Sequence, residues 1–353
     1  MTASSRGVPR SVLRAVEILR HDATLHADAL AGELASRLDC VAWDRAHVIG
    51  TMLGRLDDCL ARARAGFSRA PRAQTVHVHE RFVQPLDALP LVADGLLRGE
   101  RVRCSWDPGV EGASVVLLEQ LAERADGRLA LLGPGTVAAN EIPGTPWVGP
   151  VPARERVAFV ESRADPELSA YVLARACLRR SGRDPRAVRL AWVATGLDRL
   201  ERHLRRLFTE TLFGPPDDPT VFAGPVDAGT RDAYLEAVER WTAMPGVETI
   251  VPGGLLERAG DRRIYLAPAL FRAGPDHAVS TRVGPMLVLV AAPEEICRAK
   301  AVQALSDGRD VLHVVGGATT PDRAGLPDER VTRVLGALLS DRLPPGLPEP
   351  RPV

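Results

Sequence analysis

Apolar residues recur at helical spacing in two early stretches of the chain, residues 10–37 and 45–66. Val12 and Val16 illustrate the pattern in the first stretch, where apolar side chains fall on one face of a helix. Such one-sided spacing is typical of amphipathic helices that pack against a neighbouring domain. The pattern therefore predicts an N-terminal helical segment over residues 1–70.

After this segment the pattern changes to short apolar runs that alternate with helical stretches. From "TVHVHERF" to "RLALLGPG" the order is strand, helix, strand, helix, strand. Alternation of this kind predicts a parallel sheet with helices on its faces. Residues 71–150 are therefore predicted as one α/β lobe.

A proline- and glycine-rich stretch, residues 139–155, interrupts the alternation and predicts a domain boundary. A second α/β series follows, so residues 151–320 are predicted as a second lobe. Its first helix should begin with Asp165 as N-cap and Pro166 at the first helical position. Residues 321–353 are predicted as a C-terminal helix, over "ERVTRVLGALL", and a proline-rich tail.

Composition narrows the classes of partner. Lys+Arg and Asp+Glu both number 45 in 353 residues, so no net charge attracts nucleic acid or an anionic membrane. The five cysteines are scattered and form no CxxC pair, which argues against a disulfide framework or a zinc site. Neither a signal peptide nor an apolar run of about 18 residues is visible. We expect a cytoplasmic protein, from a bacterium judging by its Ala-, Gly-, Pro- and Arg-rich composition.

Four segments of the second half have an informative order and spacing. They are "FGPPDDPTVFAGPVDAGTRDAYLEAVERW" (213–241), "VPGG" (251–254), "YLAPALF" (265–271) and "VGPMLVLV" (283–290). This series resembles the aldehyde dehydrogenase superfamily. "RFVQPL" and "ADGLLRGERVRCSWDP" extend the resemblance into the first half. The resemblance implies an α/β fold of the aldehyde dehydrogenase type, with two Rossmann-like lobes after the N-terminal helical segment.

The chemistry of that family needs a thiolate, which attacks an aldehyde and lets the adduct pass a hydride to NAD. The resemblance places this thiolate at the helix-to-strand corner "SGRDPRAVR", where Arg183, Asp184, Pro185 and Arg186 occupy the window. None of the four is a thiol. Cys177 is the nearest one and lies two turns earlier in the helix, where a small apolar packing role is favoured. Cys177 and Asp184 are the candidate catalytic residues.

Other functional positions of the family also differ in this chain. The asparagine that donates to the oxyanion would match Val83. The lysine that contacts the cofactor ribose would fall among Ser105, Trp106 and Asp107. The strand pair with the general-base glutamate is replaced by the connector 139–155. Because these losses affect separate functions, we expect NAD-dependent oxidation to be disabled and no cofactor to be required.

Three further patterns carry possible chemistry. "HVHE" places His77 and His79 on one face of a strand, but two ligands without a third favour surface or strand-end histidines, so no metal site is expected. A Ser/His/Asp triad is compatible with the composition, although no GxSxG elbow is present. Arginines around the corner indicate either a solvated helix end or an anion site. The candidate pocket residues are Arg183, Arg186, Phe82 and Trp106.

The leading hypothesis is an aldehyde dehydrogenase-like protein without NAD-dependent redox activity, which acts as a binding protein, a scaffold or a partner subunit. Its expected partners are a small molecule or acyl-type ligand, another protein or further copies of the same chain. One alternative is an aldehyde or acyl-CoA oxidoreductase that uses NAD(P) and Cys177 at an atypical corner. The other is a cofactor-free enzyme that uses a cleft between the lobes, with Asp184 as its acid or base.

Overall fold

The computed structural model describes residues 9–66, 71, 73–135, 155–194, 196–277, 282–315 and 331–335. The chain divides into two compact units. Unit 1 comprises Met1–Cys40 and Arg45–Pro152, and unit 2 comprises Val41–Asp44 and Ala153–Val353.

Unit 1 contains a three-stranded parallel sheet in the order β1-β2-β3. Its elements are α1 (Arg10–Leu25), α2 (Ala27–Leu38), α3 (Ala42–Arg64, whose first residues belong to unit 2), β1 (Thr75–Glu80), α4 (Ala88–Leu97), β2 (Arg101–Trp106), α5 (Ala113–Arg124) and β3 (Leu129–Pro134). The helix predicted over 10–37 is broken at His26, whose backbone N–H bonds to the last turn of α1.

The N-terminal helices and the sheet of unit 1 share one hydrophobic core. Val16, Leu34 and Leu56 from the helices join Val78 and Cys104 from the strands in this cluster. Only one face of β1 and β2 contributes to it, because side chains alternate along a strand. The opposite face carries polar residues, and it holds one of the two candidate sites described below.

Unit 2 contains a seven-stranded sheet in the order β10-β9-β4-β5-β8-β7-β6, with β6 and β7 antiparallel and the other pairs parallel. Its elements are β4 (Arg156–Val160), α6 (Pro166–Leu178), β5 (Val188–Val193), α7 (Leu197–Glu210), α8 (Ala228–Thr242), β6 (Glu248–Leu256), β7 (Tyr265–Ala273), β8 (Met286–Ala291), α9 (Glu294–Ser306), β9 (Asp310–Val315) and β10 (Val331–Leu335).

The central strands of this sheet are apolar on both faces, as parallel strands covered by helices usually are. On β5, Ala191 packs in a cluster with residues of α6 and α7, whereas Trp192 packs in a second cluster with residues of α8 and α9. The predicted α/β fold class is confirmed. The predicted start of α6 is also confirmed, since the Asp165 side chain accepts from Leu168 N at 2.8 Å and Pro166 is the first helical residue.

The predicted C-terminal helix is wrong over residues 331–335, which form β10 in parallel register with β9. Val331, Thr332 and Val334 are β-branched and favour an extended backbone, which the edge of β9 stabilises by pairing. Residues 336–353 lie outside the described part of the chain, as does nearly all of the connector 139–155. Among the helices of the described residues, none combines the length and the apolarity needed to cross a membrane.

Candidate functional site

The first candidate site is the corner between α6 and β5, residues 179–189 in unit 2. Its backbone begins with a 3-10 turn, Arg179–Gly182, in which Arg180, Ser181 and Gly182 have φ of +50°, +56° and +75°. This left-handed conformation costs a side-chain-bearing residue about 1 kcal/mol or more. At Gly182 a Cβ atom would also lie 2.1 Å from the carbonyl carbon of Gly284. Only glycine fits this position.

Buried polar groups hold the two left-handed residues that are not glycine. The Ser181 hydroxyl donates to the Gly224 carbonyl at 2.6 Å. The Arg180 N–H lies 3.1 and 3.2 Å from the two carboxylate oxygens of Asp44, a residue only 1% exposed. Burial raises the pKa of Asp44 to about 7, although Arg180 and Arg179 oppose the rise. Asp44 is therefore part of the support of the corner.

Asp184, the candidate acid or base, bonds within the corner itself. Its Oδ1 accepts from Arg186 N at 2.7 Å, and its Oδ2 lies 3.5 Å from Nη1 of Arg179. Burial acts to raise the pKa of Asp184, but Arg179 and the Arg186 N–H outweigh it and the pKa is lowered. A carboxylate kept charged in this way is suited to act as a counter-ion. It also accepts the Arg186 N–H, so this backbone donor is not available to an oxyanion.

The arginines of the corner donate to its backbone carbonyls. Arg189 Nη2 reaches the Gly182 carbonyl at 2.5 Å, and its Nε lies 3.3 Å from the Gly284 carbonyl. Arg183 Nε donates to the Arg180 carbonyl at 3.2 Å. The Arg180 and Gly284 carbonyls also accept from the backbone N–H groups of Arg183 and Met286, so the arginines add to the backbone bonds of an irregular turn. These contacts favour a structural role for the cluster over an anion site.

Cys177 lies in α6 with no exposed surface. Burial raises the pKa of its thiol to about 12, with Arg189 only partly opposing the rise. The thiolate is the nucleophilic form of cysteine, so this environment favours the unreactive thiol. All five cysteines of the chain are buried.

Neither a protein-family profile nor a curated protein sequence matches the chain. Solved structures do match it. An aldehyde dehydrogenase from Bartonella henselae superposes with a TM-score of 0.72 at 14% identity, covering 96% of this chain and 80% of its own. An NAD-dependent aldehyde dehydrogenase from Sinorhizobium meliloti gives a TM-score of 0.71 at 18% identity, covering 94% and 76%. The chain has the aldehyde dehydrogenase fold.

Proline utilization A from Bradyrhizobium japonicum also matches, with a TM-score of 0.68 at 17% identity over 87% of this chain. This chain spans only 36% of that longer protein. Identities this low establish the fold and leave the activity open. The structural matches therefore confirm the aldehyde dehydrogenase-type fold that the sequence resemblance implied.

The second candidate site lies on the polar face of the unit 1 sheet, where four side chains form a hydrogen-bonded chain. His77 Nε2 lies 2.8 Å from the Ser105 hydroxyl, which lies 2.7 Å from His79 Nδ1. His79 Nε2 in turn lies 2.8 Å from Asp107 Oδ1. When both imidazole rings are neutral, His79 Nε2–H donates to the Asp107 carboxylate, which leaves His79 Nδ1 as an acceptor. The Ser105 hydroxyl then donates to His79 Nδ1 and accepts from His77 Nε2–H.

The order carboxylate, imidazole, hydroxyl is that of a catalytic triad, which is recognised by geometry. Ser105, however, has no exposed surface and its hydroxyl lies between two imidazoles. It is therefore not presented to a substrate as a nucleophile. The expectation of surface or strand-end histidines is wrong for His77, which is 1% exposed and lies inside β1. Within the described residues, no group of three His, Cys, Asp or Glu side chains could hold a metal ion.

The residues at the cofactor positions implied by the resemblance do not fit NAD(P) contacts of that type. Asp107 uses its second oxygen to accept from Phe82 N at 2.8 Å, so both oxygens are engaged. Trp106 is buried, and Val83 is 51% exposed without a polar side chain. No cation replaces the expected lysine at Ser105, Trp106 or Asp107.

The candidate pocket residues fall in different units. Phe82 and Trp106 belong to unit 1, whereas Arg183 and Arg186 belong to unit 2. The Phe82 ring lies 5.2 Å below the guanidinium of Arg37. A pocket formed by all four stays a prediction.

Sequence reasoning missed two buried carboxylates, Asp44 and Glu80. Asp44 is 136 residues from its partner Arg180, and no local pattern indicates such a contact. Glu80 is the last residue of "HVHE" and accepts from the N–H groups of Leu86 and Ala88, six and eight residues later, which no local pattern indicates either.

Proposed function

We propose that this aldehyde dehydrogenase-fold protein does not carry out thiol-dependent, NAD-dependent aldehyde oxidation and that it acts as a binding protein, scaffold or partner subunit. The observation that carries the proposal is that backbone N–H groups of the corner are already hydrogen-bonded to carboxylates. The N–H groups of Arg180 and Arg186 are engaged by Asp44 and Asp184, so they are not free to stabilise an oxyanion.

The cysteines support the same proposal. A thiohemiacetal route needs an accessible thiolate. Cys177 is the nearest thiol to the corner, and burial raises its pKa to about 12. The corner supplies no second thiol, and its Ser181 hydroxyl is buried and donates to the Gly224 carbonyl.

The direct test is a search for cofactor use. We expect no NAD(P)H formation with a panel of aliphatic and aromatic aldehydes. We also expect no rise in melting temperature with NAD or NADP, because a ligand that binds only the native state must stabilise it. NAD(P)H formation or a clear thermal shift with either dinucleotide would overturn the proposal.

Alkylation tests the alternative of an oxidoreductase that uses Cys177. We expect iodoacetamide to leave Cys177 unmodified in the native protein and to modify it fully in urea, as peptide mapping would show. Rapid native alkylation that abolishes an activity would favour the alternative, since only an exposed thiolate reacts rapidly.

The cofactor-free alternative depends on Asp184. In that case, Asp184→Asn would abolish turnover and leave stability unchanged. We expect instead that the substitution lowers stability by about 1 kcal/mol, because the charge facing Arg179 and the acceptor for Arg186 N are weakened.

A further inference from the structure

The loop that joins β1 to α4 is held at both ends by carboxylates. Near its start, the Phe82 N–H donates to Asp107 Oδ2 at 2.8 Å. At its end, the N–H groups of Leu86 and Ala88 donate to Oε1 and Oε2 of Glu80, at 2.5 and 2.7 Å. Glu80 therefore uses both oxygens, one for the loop and one for the first turn of α4.

A carboxylate can accept two such bonds with separate oxygens, whereas a carboxylic acid has converted one oxygen into a donor. Protonation of Glu80 would leave the N–H of either Leu86 or Ala88 without a good acceptor. Glu80 is 2% exposed, so water cannot readily take the place of the lost bond.

Asp107, at the other end of the loop, is kept in its charged form. Burial acts to raise its pKa, but the hydrogen bonds from His79 and from Phe82 N, together with Arg81, lower it overall. Its side chain is 39% exposed, so solvent also favours the charge. The Phe82 end of the loop is thus held across the neutral pH range.

Glu80 differs because it is buried. Burial raises its pKa to about 8, and Asp87 adds to the rise, although the N–H groups of Ala88 and Leu86 and the guanidinium of Arg37 oppose it. Cys104 on β2 also faces this carboxyl and stays neutral, since burial and then Glu80 raise the pKa of the thiol. Of the two carboxylates, Glu80 is the one whose charge changes near neutrality.

The end of the loop near Glu80 also has a strained backbone. Leu86 has a φ of +64° and its side chain is 1% exposed. A left-handed leucine costs about 1–2 kcal/mol, which the bond to Glu80 and the burial of the side chain must offset. The N–H bonds of Leu86 and Ala88 lower the pKa of Glu80, so if they are lost while the carboxyl stays buried the pKa rises further. Protonation and loss of these bonds therefore favour each other, and loss of the bond allows Leu86 to relax.

We propose that Glu80 is a proton-controlled latch for loop 81–87, holding the Leu86 end when it is ionised and releasing it when it is protonated, while Asp107 keeps the Phe82 end fixed. The groups that face Glu80 are Asp87 at the start of α4, Arg37 on α2 and Cys104 on β2.

Hydrogen exchange of the full-length protein tests the latch. Protection factors, which correct for the intrinsic rate, would be measured for Phe82, Leu86 and Ala88 at pH 6.0 and pH 8.5. We expect protection of Leu86 or Ala88 to be about tenfold lower at the lower pH, the effect of one lost hydrogen bond, with Phe82 unchanged. The proposal would be overturned if the protection factors of Leu86 and Ala88 were the same at the two pH values.

Two variants separate the ends of the loop. Glu80→Gln offers one carbonyl oxygen, so we expect low protection of Leu86 or Ala88 at both pH values. Asp107→Asn is the matched control and should lower protection at Phe82 while leaving the pH effect at Leu86 intact. The pH effect persisting in Glu80→Gln would contradict the latch.

If Glu80→Gln does not fold, titration of the Glu80 carboxyl in the wild-type protein tests the proposal instead. The 13C signal of the Glu80 carboxyl would be followed from pH 4 to pH 9 in the wild-type protein. Its midpoint should lie near neutrality and coincide with the change in Leu86 protection. A midpoint below pH 5, as for a solvent-exposed glutamate, would exclude the latch.

Discussion

The corner of unit 2 and the strand ends of unit 1 both bury charged and polar side chains, but these side chains bond to different groups. In the corner, Arg189 and Asp184 bond to backbone carbonyls and N–H groups. In unit 1, His77, Ser105 and His79 bond to one another. The difference follows from the backbone, because the strands of unit 1 pair their N–H and C=O groups along their length, whereas the irregular corner pairs only some of its groups.

The comparison indicates which side chains can change their protonation state without a change in the backbone around them. Asp184, which accepts from Arg186 N in the corner, keeps its charge because Arg179 and this N–H lower its pKa. A chain of side chains on a regular strand can rearrange its protons while the strand persists. Four substitutions test this distinction, from the largest expected effect to the smallest.

Gly182→Ala should damage unit 2 most. The new Cβ would lie 2.1 Å from the Gly284 carbonyl carbon, at a φ of +75°. We expect a loss of about 3 kcal/mol or more in the free energy of unfolding, from steric overlap and left-handed strain together.

Gly260→Ala is the matched control for this substitution. Gly260 has a nearly equal φ of +76°, and no atom lies within 4 Å of the position that a Cβ would take there. We expect it to cost about 1 kcal/mol in urea unfolding, from backbone strain alone. Equal costs for the two glycines would show that close packing at the corner contributes nothing.

Arg189→Met should cost about 2 kcal/mol, because it leaves the buried Gly182 carbonyl without its side-chain donor and removes one of the two donors to the Gly284 carbonyl, which also accepts from Met286 N. Arg199→Met, on the exposed side of α7, is the control and should stay within about 0.5 kcal/mol of wild type. Urea unfolding measures both. Similar small effects would mean that the corner does not depend on its arginine donors.

Asp44→Asn should remove part of the pH dependence of unit 2. Burial raises the pKa of Asp44 from 3.8 to about 7, so the folded state holds this proton more tightly than the unfolded chain does. The free energy of unfolding should therefore fall as pH rises from about 4 to about 7. Urea unfolding of both proteins across this range checks it; parallel pH profiles would contradict the assignment.

His77→Gln should have the smallest effect, in the opposite direction with pH. Burial lowers the pKa of His77 below 6.5, with His79 and Arg103 adding to the shift. Below pH 6.5 the unfolded chain takes up a proton that the folded unit resists, so stability falls as pH is lowered. We expect Gln, which can still donate to Ser105, to reduce this loss by about 1 kcal/mol or less. An unchanged difference between pH 7.5 and pH 5.5 would argue that His77 titrates normally.

Local patterns in the sequence were sufficient for much of the fold. Periodicity identified the strands of both sheets except β10, and the Asp165–Pro166 pair identified the start of α6, because these signals depend on residues close in sequence. The C-terminal strand β10 was missed, since a run of five residues such as "VTRVL" fits a helix or a strand until its pairing with β9 is known. The order of motifs was enough to imply the aldehyde dehydrogenase fold.

The sequence by itself determined which residue types occupy the corner, and therefore that no thiol stands there. Only the tertiary structure decided what those residues do. Asp44 reaches Arg180 across 136 residues of chain, and Ser105 meets His77 and His79 only because β1 and β2 pair in one register. Burial, which sets whether Cys177, Glu80 or His77 carries a charge, depends on the packing of distant elements and is invisible to local spacing.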